Sequence, residues 1–360
     1  MKFSKKVQIE PSATVTINSM ADKKKNSGQR VYNLSAGQPI LDNAAKPMKK
    51  IVDWAIKTNQ TLYPPVAGID ELRTHAFHWM NDIYGTTYEE KNTIITCGGK
   101  FGIYLLLQSL LNDGDEVLII APYWVSYPSM CKLFGGVPVI VDTSEQKGWK
   151  VAAKDIEAAC TPRTKILILN NGSNPTGVIY SKEELREILK VAAKNNVFVL
   201  SDEVYSGLTY GKNKYVSCGS FKEFKDRVAV IQSCSKNLGM TGWRVGFVFG
   251  NEEIIKMLVK IQGQSITGTS TISQWAAIGA LQQAKKITSE IKNEMRSRRD
   301  FFVSTFNKLF NAKIKSPESA FYCFIPLLAF GIKDNDSVKF CEKALEKANV
   351  AMVPGRAFGK

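Results

Sequence analysis

Lys165-Ile166-Leu167-Ile168-Leu169-Asn170, then Ser181-Lys182-Glu183-Glu184, then Val197-Phe198-Val199-Leu200-Ser201 is the stretch that decides the architecture. Its outer pieces are short, apolar and rich in β-branched residues, the composition of strands buried on both faces of a sheet. Between them, Ser181 followed by Glu184 forms a capping box, the start signal of a helix. Strand, helix and strand in this order predict a βαβ unit and a parallel sheet. Working outward, similar strand-like pieces lie at 93–96, 116–121, 137–141, 228–232 and 245–249, giving an expected α/β fold with a mostly parallel sheet of seven strands flanked by helices. Helices are expected at 101–111, 252–263, 272–283 and 286–310. A strand at 320–325, a helix at 336–348 and a strand at 350–353 then predict a smaller α+β lobe.

The chain has 360 residues, of which 44% are hydrophobic and 22% charged, so it can bury a real core and falls outside the disordered and fibrous classes. No apolar run approaches the ~18 residues of a membrane helix. The basic N-terminal start is followed by mixed polar residues over 7–21, so no export signal is expected. Seven cysteines are odd in number and scattered without a C-x-x-C pair, which predicts reduced thiols in a cytoplasmic protein rather than a disulfide framework. His75 and His78 are the only histidines, and nothing near them completes a metal-ligand spacing, so no metal is expected. Net charge is +15, from 48 basic and 33 acidic residues, but the lysines are spread along the chain without interleaved aromatics. Solvated faces explain that pattern better than a nucleic-acid surface, and neither nucleic acid nor membrane is an expected partner.

Ligands of an open α/β sheet gather at the carboxyl ends of its strands. That rule selects the loops after 93–96, 116–121, 165–170, 197–201 and 228–232. The last holds Ser233-Cys234-Ser235-Lys236-Asn237-Leu238-Gly239-Met240-Thr241-Gly242-Trp243-Arg244. A lysine just past a strand end can form an imine with a carbonyl while Ser233, Ser235 and Arg244 hold an anion; equally, it can be an exposed loop lysine. Asp202 closes a buried strand and needs a cationic partner there, unless it is a helix cap or loop residue. Tyr205 and Asn174 either hydrogen-bond one ring oxygen or fill the interlobe surface and an Asn-Pro turn, respectively. In Cys97-Gly98-Gly99-Lys100 the backbone at a helix start can cradle a phosphate, although the Walker A pattern is absent. Trp124 suits stacking on an aromatic cofactor or burial in a core.

Taken together, these residues resemble the pyridoxal-phosphate-dependent aminotransferases of fold type I, class I, and most of all their bacterial aspartate/prephenate branch. The resemblance runs through Ser35-Ala36-Gly37-Gln38-Pro39, Tyr63-Pro64-Pro65-Val66-Ala67-Gly68, Gly98-Gly99-Lys100, Ala121-Pro122-Tyr123-Trp124-Val125-Ser126-Tyr127-Pro128, Asn174-Pro175-Thr176-Gly177, Ser201-Asp202-Glu203-Val204-Tyr205, Ser235-Lys236, Met240-Thr241-Gly242-Trp243-Arg244 and Val353-Pro354-Gly355. It implies transamination of an amino acid, aspartate or glutamate, with a 2-oxo acid by a ping-pong mechanism using pyridoxal 5'-phosphate. Lys236 is implied to carry the cofactor, Asp202 to pair with its ring nitrogen, Tyr205 and Asn174 to bond its hydroxyl oxygen and Trp124 to stack on it. Gly99, Lys100, Ser233, Ser235 and Arg244 are implied to hold the phosphate. The substrate is implied to meet Gly37, Lys100, Trp124, Asn174, Ser12 and Thr14. Tyr63 is implied to reach the neighbouring subunit's phosphate, hence a homodimer with shared active sites. The expected division is an N-terminal arm and small-lobe segment at 1–44, a large cofactor-binding domain at 45–285 and a small C-terminal lobe at 286–360.

Two departures qualify the resemblance. The family's arginine for the substrate α-carboxylate, shortly after the Pro354-Gly355 position, is not found before Lys360, and Arg356 stands too early for it. The expectation is either a truncated chain or a lost substrate clamp. The Gln38-Pro39-Ile40-Leu41 loop also departs from the family's Glu-Pro-Asp-Phe. A carbon–sulfur lyase on the same fold, and a catalytically impaired or regulatory homologue, are the alternatives.

Overall fold

The computed structural model describes residues 3–39, 46–211 and 214–359; Ile40, Leu41 and Lys360 lie outside the described residues. In chain order the elements begin with α1 (Ala13–Asn26), β1 (Tyr32–Asn33), α2 (Lys46–Lys57), α3 (Asp70–Tyr84), β2 (Thr93–Thr96) and α4 (Gly99–Leu110). Then come β3 (Glu116–Ala121), α5 (Ser126–Leu133), β4 (Val137–Asp142), α6 (Ala153–Ala159), β5 (Thr164–Asn170), α7 (Lys182–Lys194) and β6 (Phe198–Asp202). The remainder is β7 (Val228–Ser233), α8 (Cys234–Asn237), β8 (Gly246–Phe249), α9 (Glu252–Gly263), α10 (Thr271–Leu281), α11 (Ala284–Phe310), α12 (Ser337–Ala348) and β9 (Val350–Ala351).

Seven of these strands form one sheet in the order β2-β8-β7-β6-β5-β3-β4. β8 runs antiparallel to both its neighbours, and the other pairings are parallel. The carboxyl ends of β2, β3, β5, β6 and β7 therefore meet at one edge, with Asn170 in register with Asp202 and Ser233 with Gly246. Side chains alternate across the sheet, as strand geometry requires. Ile166, Ile168 and Leu200 face α4 and α9, with Leu106 and Leu258. Leu167, Leu169 and Val199 face the other way, with Leu185 and Ile188 of α7. Each such fully buried side chain stabilises by roughly 1.5–3 kcal/mol. The capping box is real: Ser181 Oγ accepts the Glu184 N–H at 3.2 Å, and Glu184 Oε2 accepts the Ser181 N–H at 2.6 Å.

A second sheet pairs β1 with β9 in parallel, Tyr32 opposite Val350. It packs with α1 and α12 through Ala21, Leu345 and Ala351. Helix α1 went unread in the sequence because its buried face is only a narrow strip around Ala21. Packing rather than periodicity holds it; Lys24 Nζ donates to Leu345 O at 2.8 Å and to Asn349 Oδ1 at 2.7 Å, closing the end of α12.

The strand expected at 320–325 does not form. Ala320 sits at φ 59°, a left-handed conformation that interrupts extended backbone, and only Ser319 makes a bridge, to Thr209. The segment instead hangs from the 208–210 loop, where Leu208 O accepts the Ala320 N–H at 2.9 Å. Phe321 and Tyr322 are thereby turned toward Tyr205. No helix among the described residues is long and apolar enough to cross a membrane.

Candidate active site

Asp202 ends β6, whose burial carries the carboxyl into the interior, 5% exposed. Its Oδ2 accepts the Tyr127 hydroxyl at 2.6 Å and its Oδ1 the Val204 N–H at 3.4 Å. Burial pushes this carboxyl up to about 6, against the pull of those hydrogen bonds and of the Lys236 charge. Asn170, alongside on β5, donates to Asp202 O at 2.9 Å and accepts the Asn174 N–H at 2.8 Å, which sets the Asn174-Pro175 loop against the end of β6.

Lys236 lies in the single turn α8, directly after β7. Its Nζ donates to the Gly37 carbonyl and stands 5.4 Å from the Phe321 ring centre and 6.0 Å from that of Tyr205. Burial first, then the Arg244 charge, lower this amine to about 8, with Asp202 pulling the other way. Next to it the buried Tyr205 hydroxyl lies 2.5 Å from the Tyr322 hydroxyl. Gly37 packs so closely here that a Cβ on it would stand 2.7 Å from the same Tyr322 oxygen.

A second cluster forms where α4 starts. Gly98 adopts φ 78°, and a Cβ there would lie 2.4 Å from Arg244 Nη2. A Cβ on Gly246 would lie 2.4 Å from the Gly99 nitrogen. Arg244, itself left-handed at φ 57°, thus crosses directly over the loop that opens α4. Ser233 Oγ lies 2.9 Å from Ser235 Oγ and accepts the Ser235 N–H at 3.0 Å. A guanidinium, two hydroxyls and the free N–H groups of a helix start make an anion cradle. Lys100 places Nζ 4.8 Å from the Trp124 ring centre. Partial burial and the Arg244 charge lower its amine. Trp124 meets Tyr127 edge-on at 5.3 Å.

A buried carboxylate, a buried amine and this cradle on one sheet edge fit pyridoxal 5'-phosphate, which offers a ring nitrogen, an aldehyde and a phosphate. The structure thus brings Lys236, Asp202, Tyr205, Gly37 and Asn174 to one place, and Gly99, Lys100, Trp124, Ser233, Ser235 and Arg244 to its rim. Ser12 and Thr14 hydroxyls lie 3.2 Å apart at the start of α1 and make no hydrogen bond to Lys100 or Trp124. Tyr63 projects from the surface, 91% exposed. Arg356 is exposed, its N–H donating to Ser337 Oγ at 3.0 Å. Sequence reading missed Tyr127, Asn170 and Tyr322. Tyr127 and Asn170 stood in or beside loops already singled out, but Tyr322 carried no local signal.

The sequence profile of the family "Aminotransferase class I and II" matches residues 29–360. A probable aspartate/prephenate aminotransferase of Rhizobium leguminosarum bv. phaseoli is 38% identical over 98% of this chain and 90% of its own length. An aspartate aminotransferase of Geobacillus stearothermophilus is 36% identical over 100% of this chain and 92% of its own. Among solved structures, the aspartate aminotransferase of Thermus thermophilus with maleate superposes with a TM-score of 0.94 at 34% identity, covering 99% of this chain and 92% of that one. Fold, site geometry and sequence agree: this chain belongs to the class I and II aminotransferases.

Proposed function

We propose that this chain is a pyridoxal-phosphate-dependent aminotransferase that moves the amino group of aspartate or glutamate to a 2-oxo acid. The observation that carries the reading is the buried Lys236 amine beside the buried Asp202 carboxylate, at the sheet edge where Arg244 crosses Gly98. When bound, pyridoxal 5'-phosphate supplies an electron-withdrawing ring that spreads the charge developing on a substrate α-carbon. Lys236 carries the cofactor and, with its amine lowered to about 8, is suited to take and return the α-proton near neutral pH. Asp202 holds a proton on the ring nitrogen. Tyr205 and Asn174 bond the ring hydroxyl oxygen, and Trp124 stacks on the ring. Gly99, Lys100, Ser233, Ser235 and Arg244 hold the phosphate. The first 2-oxo acid leaves before the acceptor enters, giving ping-pong kinetics.

On the substrate side, Gly37, Lys100, Trp124 and Asn174 line the entrance, and Lys100 with Ser12 and Thr14 meets the acidic side chain. Support comes from the lysine's position over Trp124 and from the dicarboxylate, maleate, in the similar Thermus structure. The working form is a homodimer in which Tyr63 reaches the neighbouring subunit's phosphate; its 91% exposure, next to Leu62 at 79%, supports an interface there. Residues 45–285 form the cofactor-binding domain, with 1–44 and 286–360 as arm and small lobe. Seven free cysteines support a reducing, cytoplasmic setting.

An amino-donor panel with 2-oxoglutarate as acceptor tests the activity. Turnover of aspartate with ping-pong kinetics is expected; release of pyruvate and ammonia without an acceptor would instead make the protein a lyase. In the same assay, Lys100→Ser should cut the kcat/KM preference for aspartate over alanine by roughly tenfold or more, the effect of losing one charge-assisted contact. An unchanged preference would remove Lys100 from substrate recognition.

A further inference from the structure

Glu203 follows Asp202 directly, and strand alternation sends its carboxyl through the opposite face of the sheet. It is fully buried. Oε1 accepts the Ser201 hydroxyl and the Cys218 N–H, both at 2.8 Å, while Oε2 has no partner. No cation pairs with it among the described residues. The titratable groups around it are Tyr84 of α3, Tyr88 after α3, Tyr215 and Cys218 of the 214–218 loop, and Asp202 itself. Every one of them is neutral or negative, so among the described residues nothing balances a second charge.

The chamber is tied to the catalytic segment. Tyr84 Oη lies 2.7 Å from Ser206 Oγ, which also accepts Gln232 Nε2 at 3.0 Å and Asn237 Nδ2 at 3.1 Å. Asn237 is the neighbour of Lys236, and its Oδ1 accepts the Gly207 N–H at 3.1 Å. The Glu203 N–H donates to Ile231 O at 3.0 Å, and Glu203 O accepts the Ser206 N–H at 3.0 Å, so the turn bearing Tyr205 starts from this residue.

Resting on the proposed pairing of Asp202 with the cofactor, we propose that Glu203 is a positioning residue carried as the neutral acid. It locks the Asp202–Tyr205 turn from behind and leaves Asp202 as the charged member of the pair. Two adjacent buried carboxyls cannot both ionise cheaply when a cation faces only one of them, and the one with no access to Lys236 or the cofactor's positive ring keeps its proton. Burial, helped by the Asp202 charge, pushes Glu203 up to about 7, against its hydrogen bonds from the Ser201 hydroxyl and the Cys218 N–H.

The test is thermal unfolding of the cofactor-free and the loaded protein between pH about 5 and about 8. A carboxyl raised on folding gives stability that is complete below its unfolded pKa and is lost as pH climbs through the folded value. Wild type should therefore lose roughly 5 °C more than Glu203→Gln across that range, and the gap should be flat above it. Glu203→Gln should bind pyridoxal 5'-phosphate within about threefold of wild type at pH about 6, whereas Glu203→Leu, which strands the Ser201 and Cys218 donors, should lose on the order of tenfold. Parallel pH profiles for wild type and Glu203→Gln would overturn the proposal, as would weak cofactor binding by Glu203→Gln with normal binding by Glu203→Asp. If Glu203→Gln does not fold, infrared spectra of wild type labelled with ¹³C-glutamate decide: a protonated glutamic C=O stretch at pH about 6 is expected, and its absence overturns the proposal. Should Asp202→Asn bind cofactor and turn over normally, the reading of the site fails, while the difference in slope between cofactor-free wild type and cofactor-free Glu203→Gln still reports on Glu203.

Discussion

Lys236→Ala should lower turnover by at least about 10³-fold, within the range of a single positioned general acid–base group and before its covalent role is counted. The fold should survive. Among the described residues, the lysine Nζ is held by one acceptor, the Gly37 carbonyl, so truncation strands no donor and removes a buried amine that burial disfavours. Melting of the cofactor-free variant is the control, and borohydride treatment of loaded wild type should fix the cofactor on the peptide bearing residue 236. Turnover near wild type, or fixation on another side chain, would sink the assignment of the site.

Asp202→Asn should cost roughly 10²–10³-fold in kcat, the size of a lost preorganised electrostatic contact at the reacting centre. The amide keeps the shape: its one oxygen can accept the Val204 N–H while the Tyr127 hydroxyl turns to accept from the amide nitrogen, so KM should move less than kcat. The pH dependence has a definite sign. Burial holds Asp202 near 6 in the cofactor-free protein, so below that pH it takes up a proton and no longer pairs with a protonated ring. Cofactor affinity should therefore fall as pH drops through about 6 in wild type and lose that slope in Asp202→Asn. Titration of cofactor binding from pH about 5 to 8 measures it, and an identical slope in the variant would place the titrating group elsewhere.

Much of this site was legible because its residues sit at the ends of strands that are themselves legible. Apolar runs such as Ile166–Leu169 can only be buried, buried strands pair, parallel pairing of β6 with β7 brings Asp202 and Ser233 to one edge, and two antiparallel steps through β8 return the Gly98-Gly99 loop to it. The period of two also held information that reading for motifs overlooked: it puts Ser201 and Glu203 on the face opposite Asp202. Where local pattern misled, tertiary bonding had taken over. The 320–325 segment is a short apolar, aromatic run like a strand, yet its backbone is claimed by the 208–210 loop and broken at Ala320. Helix α1 shows the reverse, a weak pattern made helical by docking on α12 and β9.

By itself the chain's sequence determined the sheet and its strand-end loops, because periodicity and residue type act over a few neighbouring positions, while the roles expected of the lysine, the aspartate and the anion-cradling residues rested on the family resemblance. Only the tertiary structure decided that Tyr127 holds Asp202, that Tyr322 meets Tyr205, that Gly37 accepts from Lys236 and that Glu203 lies buried with no cation paired to it among the described residues. Those contacts join residues from about 75 to 199 positions apart, or depend on what the opposite face of the sheet encloses. Burial and long-range packing, which shift the carboxyls and the amine away from their ordinary values, exist only once the chain is closed on itself.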